Sequence, residues 1–190
     1  MKNIILFGKP GAGKGTQAVF LRDTFQLVHI STGDLFRYNI SNNTSLGALA
    51  KSYMDKGELV PDELTIKMLE SEVDANPDVG GFIFDGFPRT AAQAEALDLF
   101  LHCKKMSIRA TIALDVDEEV LVNRLLSRGK DSGRSDDQDE NKIRNRFAEY
   151  NKKTAPLIDY YKSQNKFYSI RGEGTVAKIS KQLTSLLHSL

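Results

Sequence analysis

The chain has 190 residues, 41% hydrophobic and 27% charged, the balance of an ordinary globular domain with room for a proper core. Its net charge of +1, from 26 basic and 25 acidic residues, excludes the broad basic field of a nucleic-acid binder. A single cysteine, Cys103, excludes an internal disulfide or a Cys-rich zinc knuckle and is expected as a small, partly buried hydrophobe. No run approaches the ~20 apolar residues of a membrane span, and four consecutive apolar residues before Gly8 are too few for a signal peptide. A cytoplasmic monomer is the expectation.

In chain order, Asn3–Phe7 reads as a buried strand and Gly13–Phe25 as a helix. Leu27–Ile30 is a second strand. Leu35–Asn76 holds two or three helical segments, more than a simple crossover needs, and is expected to form a small substrate-covering insert at about 33–73. Phe82–Phe84 is a third strand ending at Asp85, Ile108–Val116 a fourth and Phe167–Ile170 a fifth. Strands alternating with helices predict an α/β fold, a five-stranded parallel sheet with helices on both faces.

Asp117, followed by Glu118 and Glu119, is expected to cap a helix that ends before Gly129. Gly129–Asp136 then reads as a short polar loop. Asp137 and Glu140 have capping-box spacing ahead of a helix running through Tyr161, which Pro156 should kink or split. Val176, Ile179, Leu183 and Leu186 form the core-facing stripe of a last helix.

The segment Gly8-Lys-Pro-Gly-Ala-Gly13-Lys14 follows a strand and opens a helix, with P-loop spacing. Glycines let successive backbone N–H groups face inward, the helix N-terminus adds about half a positive charge, and Lys14 supplies a full one for β and γ phosphates. Gly15 stands where a hydroxyl residue is usual, and the hydroxyl comes at Thr16. Asp85, at a strand end, suits either a magnesium anchor acting through water or a turn. Arg89 lies just beyond that strand's carboxyl end, where open α/β sheets bind ligands, and its planar fork suits phosphate. Arg124 and Arg128, four residues apart, share a helix face.

Four segments together, Gly11-Ala-Gly-Lys-Gly-Thr-Gln17, Ser31-Thr-Gly-Asp-Leu-Phe-Arg37, Asp85-Gly-Phe-Pro-Arg-Thr90 and Ser132-Gly-Arg-Ser-Asp-Asp137, resemble adenylate kinases over essentially the whole chain. The resemblance implies phosphoryl transfer between ATP and AMP with Mg²⁺, giving ADP. It places ATP on Gly11, Ala12, Gly13, Lys14, Gly15, Thr16, Arg124, Arg128 and Gly174, with Arg124 stacked on the adenine. It places AMP on Thr32, Arg37, Leu59, Val60, Gly86, Arg89, Gln93, Arg134 and Arg146, with Gln93 on the base. Lys14, Arg89, Arg128, Arg134 and Arg146 fall to the catalytic set. Only five residues separate Arg128 from Arg134, which resembles the short-lid form, with 129–136 as the lid and no lid zinc. The Phe87–Pro88 bond is expected to be cis.

A phosphate acceptor is already ionised, so no general base is sought, and His29, His102 and His188 are expected to be structural or exposed. Arg144 matches no role and is expected at the surface. Two alternatives stand beside this reading. A UMP/CMP kinase shares the scaffold but tends to carry Ala and Asn where Thr32 and Gln93 stand. A GTP-reading switch needs Asn-Lys-x-Asp, which Asn141-Lys-Ile-Arg144 fails at its last position.

Overall fold

A computed structural model describes all 190 residues. Five strands, β1 (Asn3–Phe7), β2 (Val28–Ser31), β3 (Phe82–Asp85), β4 (Ile108–Asp115) and β5 (Phe167–Arg171), form one sheet in the order β2-β3-β1-β4-β5. All four pairings are parallel, which requires helical crossovers. The helices are α1 (Lys14–Phe25), α2 (Thr32–Ser41), α3 (Ser45–Met54), α4 (Asp62–Asp74), α5 (Ala91–Cys103), α6 (Glu118–Ser132), α7 (Glu140–Glu149), α8 (Leu157–Ser163) and α9 (Val176–Ser189).

Strand pleating sorts the core. In β1, Ile4 and Leu6 join a cluster of 19 buried residues that includes Leu21, Leu125, Ile143, Phe147 and Leu183. Ile5 and Phe7 join 15 on the other face, with Leu69, Phe84, Leu97 and Tyr161. Alternate residues of one fully buried strand thus feed two helical layers. β1 lies between β3 and β4, so the chain leaves it towards one side and later crosses to the other, the point where such sheets open a crevice at their carboxyl edge. Register brings Leu6 and Ser31 each opposite Asp85. The P-loop, the start of α2 and the loop after β3 therefore converge on that edge.

Residues 32–74 add α2, α3 and α4, around a core of only Phe36, Ala50 and Val60. Gly47 lets α2 and α3 touch: a Cβ there would lie 2.1 Å from the Asn39 carbonyl oxygen.

Several local expectations change. The helix capped by Asp117 runs on through Gly129 to Ser132 and stops at Gly133, which adopts the left-handed conformation at φ 66°. Gly129 is a buried packing residue inside that helix, glycine because a Cβ there would meet the Asp137 carbonyl oxygen at 2.7 Å, and the polar loop begins one turn later than its sequence suggested. The cap of α7 is Asp139, whose carboxylate accepts from the Asn141 N–H at 2.8 Å, since the Asp137 carboxylate is engaged elsewhere. The helical stretch splits as expected, through a widened turn at Tyr150–Thr154 ahead of Pro156. In α9, Ile179 and Leu183 are buried but Val176 is 55% exposed. Cys103 is exposed, at the end of a helix that turns Leu101 inward instead. Phe87–Pro88 is cis.

Candidate active site

The carboxyl edge of the sheet opens into a cleft of about 870 Å³. Every candidate residue named above lines it, from Gly11–Thr16 and Gly174 on one side to Thr32, Arg37, Leu59, Val60 and Gln93 on the other.

On the first wall the chain turns from β1 into α1. Gly13, at φ 94°, occupies the cap position and provides no side-chain oxygen to the first N–H groups of α1. Those donors and the helix dipole are left to an anion. The Lys14 ammonium donates to the Gly8 carbonyl at 2.7 Å and the Lys9 carbonyl at 3.2 Å. Burial, with Arg89, Arg146 and Arg128 close by, brings its pKa down to about 8 even though Asp85 opposes the shift.

Asp85 ends β3 at 8% exposure. Burial alone would raise its pKa; the His29 imidazole, 3.5 Å away, and the Lys14 ammonium outweigh that and hold it below the usual range. His29 thus lines the cleft, whereas His102 and His188 are exposed.

The arginines come from different elements and are held by shared acids. Asp137, fully buried, accepts from Arg128 at 2.6 and 3.0 Å and from Arg146 at 2.7 Å. Its pKa is lowered by those two guanidinium groups despite burial. Asp34 pairs with Arg37 and also faces Arg134, 3.4 Å away. Arg89 is braced at three points: its Nε donates to the Gly86 carbonyl at 2.7 Å, its N–H to Gln93 Oε1 at 2.7 Å, and its carbonyl accepts from Thr154 at 2.9 Å. Burial, then Arg146, brings its pKa down to about 10. Thr32 donates to the same Gly86 carbonyl at 2.9 Å. Arg124 reaches the Gly172 carbonyl at 3.4 Å, beside Gly174. Arg144 stays outside, paired with Glu119 and Glu140.

Lys14, Arg37, Arg89, Arg128, Arg134 and Arg146 thus share one cleft with fewer carboxylates than cations. Their mutual repulsion is relieved by an anion between them, the condition for strong phosphate binding. Sequence reading missed three supports: Asp137 as the arginine anchor, Thr154 behind Arg89, and Asp62, which holds the Gln93 amide and the Thr90 hydroxyl, each at 2.8 Å. All three depend on contacts beyond one helical turn or one strand repeat, at separations of 9, 65 and 31 positions.

A family model described as adenylate kinase matches residues 6–166. The chain belongs to the adenylate kinase family. It is 63% identical to an adenylate kinase of Flavobacterium psychrophilum, 61% to one of Flavobacterium johnsoniae and 46% to one of Bacteroides fragilis, in each case over the full length of both chains. The similarity to those adenylate kinases thus spans the segments that form both walls of the cleft, the insert included.

Proposed function

We propose that this cleft carries out the reaction of the adenylate kinases: the terminal phosphoryl group of ATP passes reversibly to AMP, giving two ADP. What supports the reading above all is the pairing of two anion-binding walls across one space, Lys14 and the start of α1 on one side and Arg37 and Arg89 on the other. A P-loop regulator has no use for the second wall.

ATP lies along Gly11–Thr16, with its adenine against Arg124 near Gly174. AMP lies on the insert side: Arg37 and Arg89 take its phosphate, Thr32, Leu59, Val60 and Gly86 its ribose and base surroundings, and Gln93 its adenine edge. The acceptor is a phosphate oxygen that is ionised near neutral pH, so no side chain has to remove a proton. The task is to bring two anions into line, and Lys14, Arg89, Arg128, Arg134 and Arg146 do so by neutralising charge as it moves. The insert, expected at 33–73 and built of the helices at 32–74, and the lid, expected at 129–136 and with its loop at 133–136, close over the nucleotides and exclude water. Ion pairing of Arg134 with Asp34 and the Ser135 hydroxyl on Asp55, 3.0 Å apart, already join the two segments.

Magnesium fits the residues present. No group of three or more His, Cys, Asp or Glu is arranged as a metal cage, but Mg²⁺ prefers one or two carboxylates with waters and phosphate oxygens. Asp85, ionised and beside the P-loop, would hold it through water, and the ion would draw charge from the phosphates. The chain works as a cytoplasmic monomer; no helix is long and apolar enough to cross a membrane.

The test is a coupled assay with Mg-ATP and each monophosphate in turn. AMP is converted fastest, and UMP and CMP lag by orders of magnitude, since a site built to pair a polar edge discriminates strongly against one that mismatches it. Equal rates with UMP would shift the reading to a pyrimidine kinase, and ATP binding without transfer to any monophosphate would remove the kinase reading.

A further inference from the structure

Gln93 is 2% exposed, and both ends of its amide are engaged within the protein. Its Nε2 donates to Asp62 Oδ1 at 2.8 Å, and its Oε1 accepts from the Arg89 N–H at 2.7 Å. The two partners agree on which way the amide faces. A carboxylate only accepts, so nitrogen must point to Asp62; a backbone N–H only donates, so oxygen must point to Arg89. The other Asp62 oxygen accepts from the Thr90 hydroxyl at 2.8 Å, and that hydroxyl takes the Gln93 backbone N–H at 3.3 Å as the cap of α5. Asp62 is therefore fixed from both sides.

A primary amide has two N–H bonds and two oxygen lone pairs. One of each is spent here, leaving one donor and one acceptor in a fixed order. The edge of adenine offers an amino donor beside a ring-nitrogen acceptor. A 6-oxopurine offers the reverse, a carbonyl acceptor beside a ring N–H. A glutamine free to turn over satisfies either edge. A glutamine held by Asp62 and Arg89 satisfies only one, because turning over sets amide oxygen against carboxylate and amide nitrogen against N–H.

We infer that Asp62 is a specificity-positioning residue: it locks the Gln93 amide so that the acceptor site takes 6-aminopurine monophosphates and rejects 6-oxopurine ones. This rests on the proposed acceptor site. Asp62 opens α4, at the edge of the insert, while Gln93 is in α5 of the main body, so the lock also ties base reading to the seating of the insert.

The experiment compares kcat/KM for AMP and for inosine monophosphate at saturating Mg-ATP in the wild type, Asp62→Ala and Asp62→Asn. Asp62→Ala narrows the AMP preference at least about tenfold, with an ATP analogue binding as in the wild type. Asp62→Asn retains an oxygen that accepts from the amide and keeps most of the preference. If Asp62→Ala weakens both acceptors equally and leaves the ratio unchanged, Asp62 merely anchors the insert and the inference falls. A second measurement needs no variant: in the nucleotide-free wild type, one Gln93 side-chain amide proton is protected from solvent exchange by NMR. Rapid exchange of both protons overturns the lock. If the wild type does not use AMP at all, the functional reading fails, and the NMR result still judges the lock on its own.

Discussion

The two walls of the cleft are built in different ways. The P-loop wall is mostly backbone, set on a sheet whose two faces bury 19 and 15 residues. The insert wall is mostly side chains: Thr32, Arg37, Leu59 and Val60 come from a three-helix insert with three buried core residues, facing Arg89 and Gln93 of the main body. If a fully buried large apolar side chain contributes about 1.5–3 kcal/mol, the insert has little packing of its own to lose before it opens. The difference suits the two tasks: a rigid cradle for a triphosphate, and a jaw that admits the acceptor and then closes.

The strongest way to break the comparison is at the rigid wall. Lys14→Met removes the full charge from the cradle and leaves the backbone that shapes it. Turnover should fall at least ~100-fold, the scale on which a single pre-set electrostatic group acts, with an unchanged melting temperature. A folded variant with near wild-type turnover would show that the backbone N–H groups alone carry the site.

On the other wall, Gly47→Ala is the matching test. Its Cβ would lie 2.1 Å from the Asn39 carbonyl oxygen, a backbone atom that cannot rotate away. Overpacking costs about 1–3 kcal/mol and occasionally more, and the small insert core cannot absorb that. Hydrogen exchange should rise across α2 and α3 and the KM for AMP should climb, while β1 and α1 keep their protection and ATP-analogue affinity. Loss of protection across the sheet as well would mean that the two walls unfold as one unit.

A third test sits between them. Gly129→Ala would gain up to about 1 kcal/mol in helix propensity, yet its Cβ would press on the Asp137 carbonyl at 2.7 Å, and overpacking of that kind costs about 1–3 kcal/mol. The clash wins. It shifts the residue that holds Arg128 and Arg146, so kcat should drop several-fold more than either KM rises. A more stable, fully active variant would show that the turn at 134–137 yields freely.

Gly129 also shows where sequence reading stops. The three central strands, β3, β1 and β4, were legible to within a residue or two because buried parallel strands are short apolar runs. The P-loop, Asp85 and the arginines were legible because their spacing is local. Gly129 looks like a helix stop and Asp137 like a helix cap by the same local rules. What overrules both is one long-range fact: the Asp137 carboxylate is claimed by two arginines, nine positions before and after it. Asp62 was hidden for the same reason, since it reads as an ordinary acid in a first helical turn and its partner is 31 positions away.

The smallest expected effect separates the walls by protons. Burial and nearby arginines bring the Lys14 pKa down to about 8, so the free protein has already lost much of that charge at mildly alkaline pH. A bound triphosphate favours the ammonium and raises the pKa again. The sign follows: below about pH 7 the lysine is charged in both states and binding takes up no proton, whereas between the free and bound pKa values binding must take one up. ATP affinity therefore weakens as pH rises through about 8, by at most about tenfold per unit. Calorimetry at pH 8.5 in two buffers of different ionisation enthalpy reads the uptake directly, at a pH where ATP itself is fully ionised. Wild type should take up more than half a proton and Lys14→Met close to none, and AMP binding to the arginine-lined wall should show far less uptake than ATP. Equal uptake in wild type and Lys14→Met would place the titrating group elsewhere in the cleft and remove the lowered lysine pKa as a property of the P-loop wall.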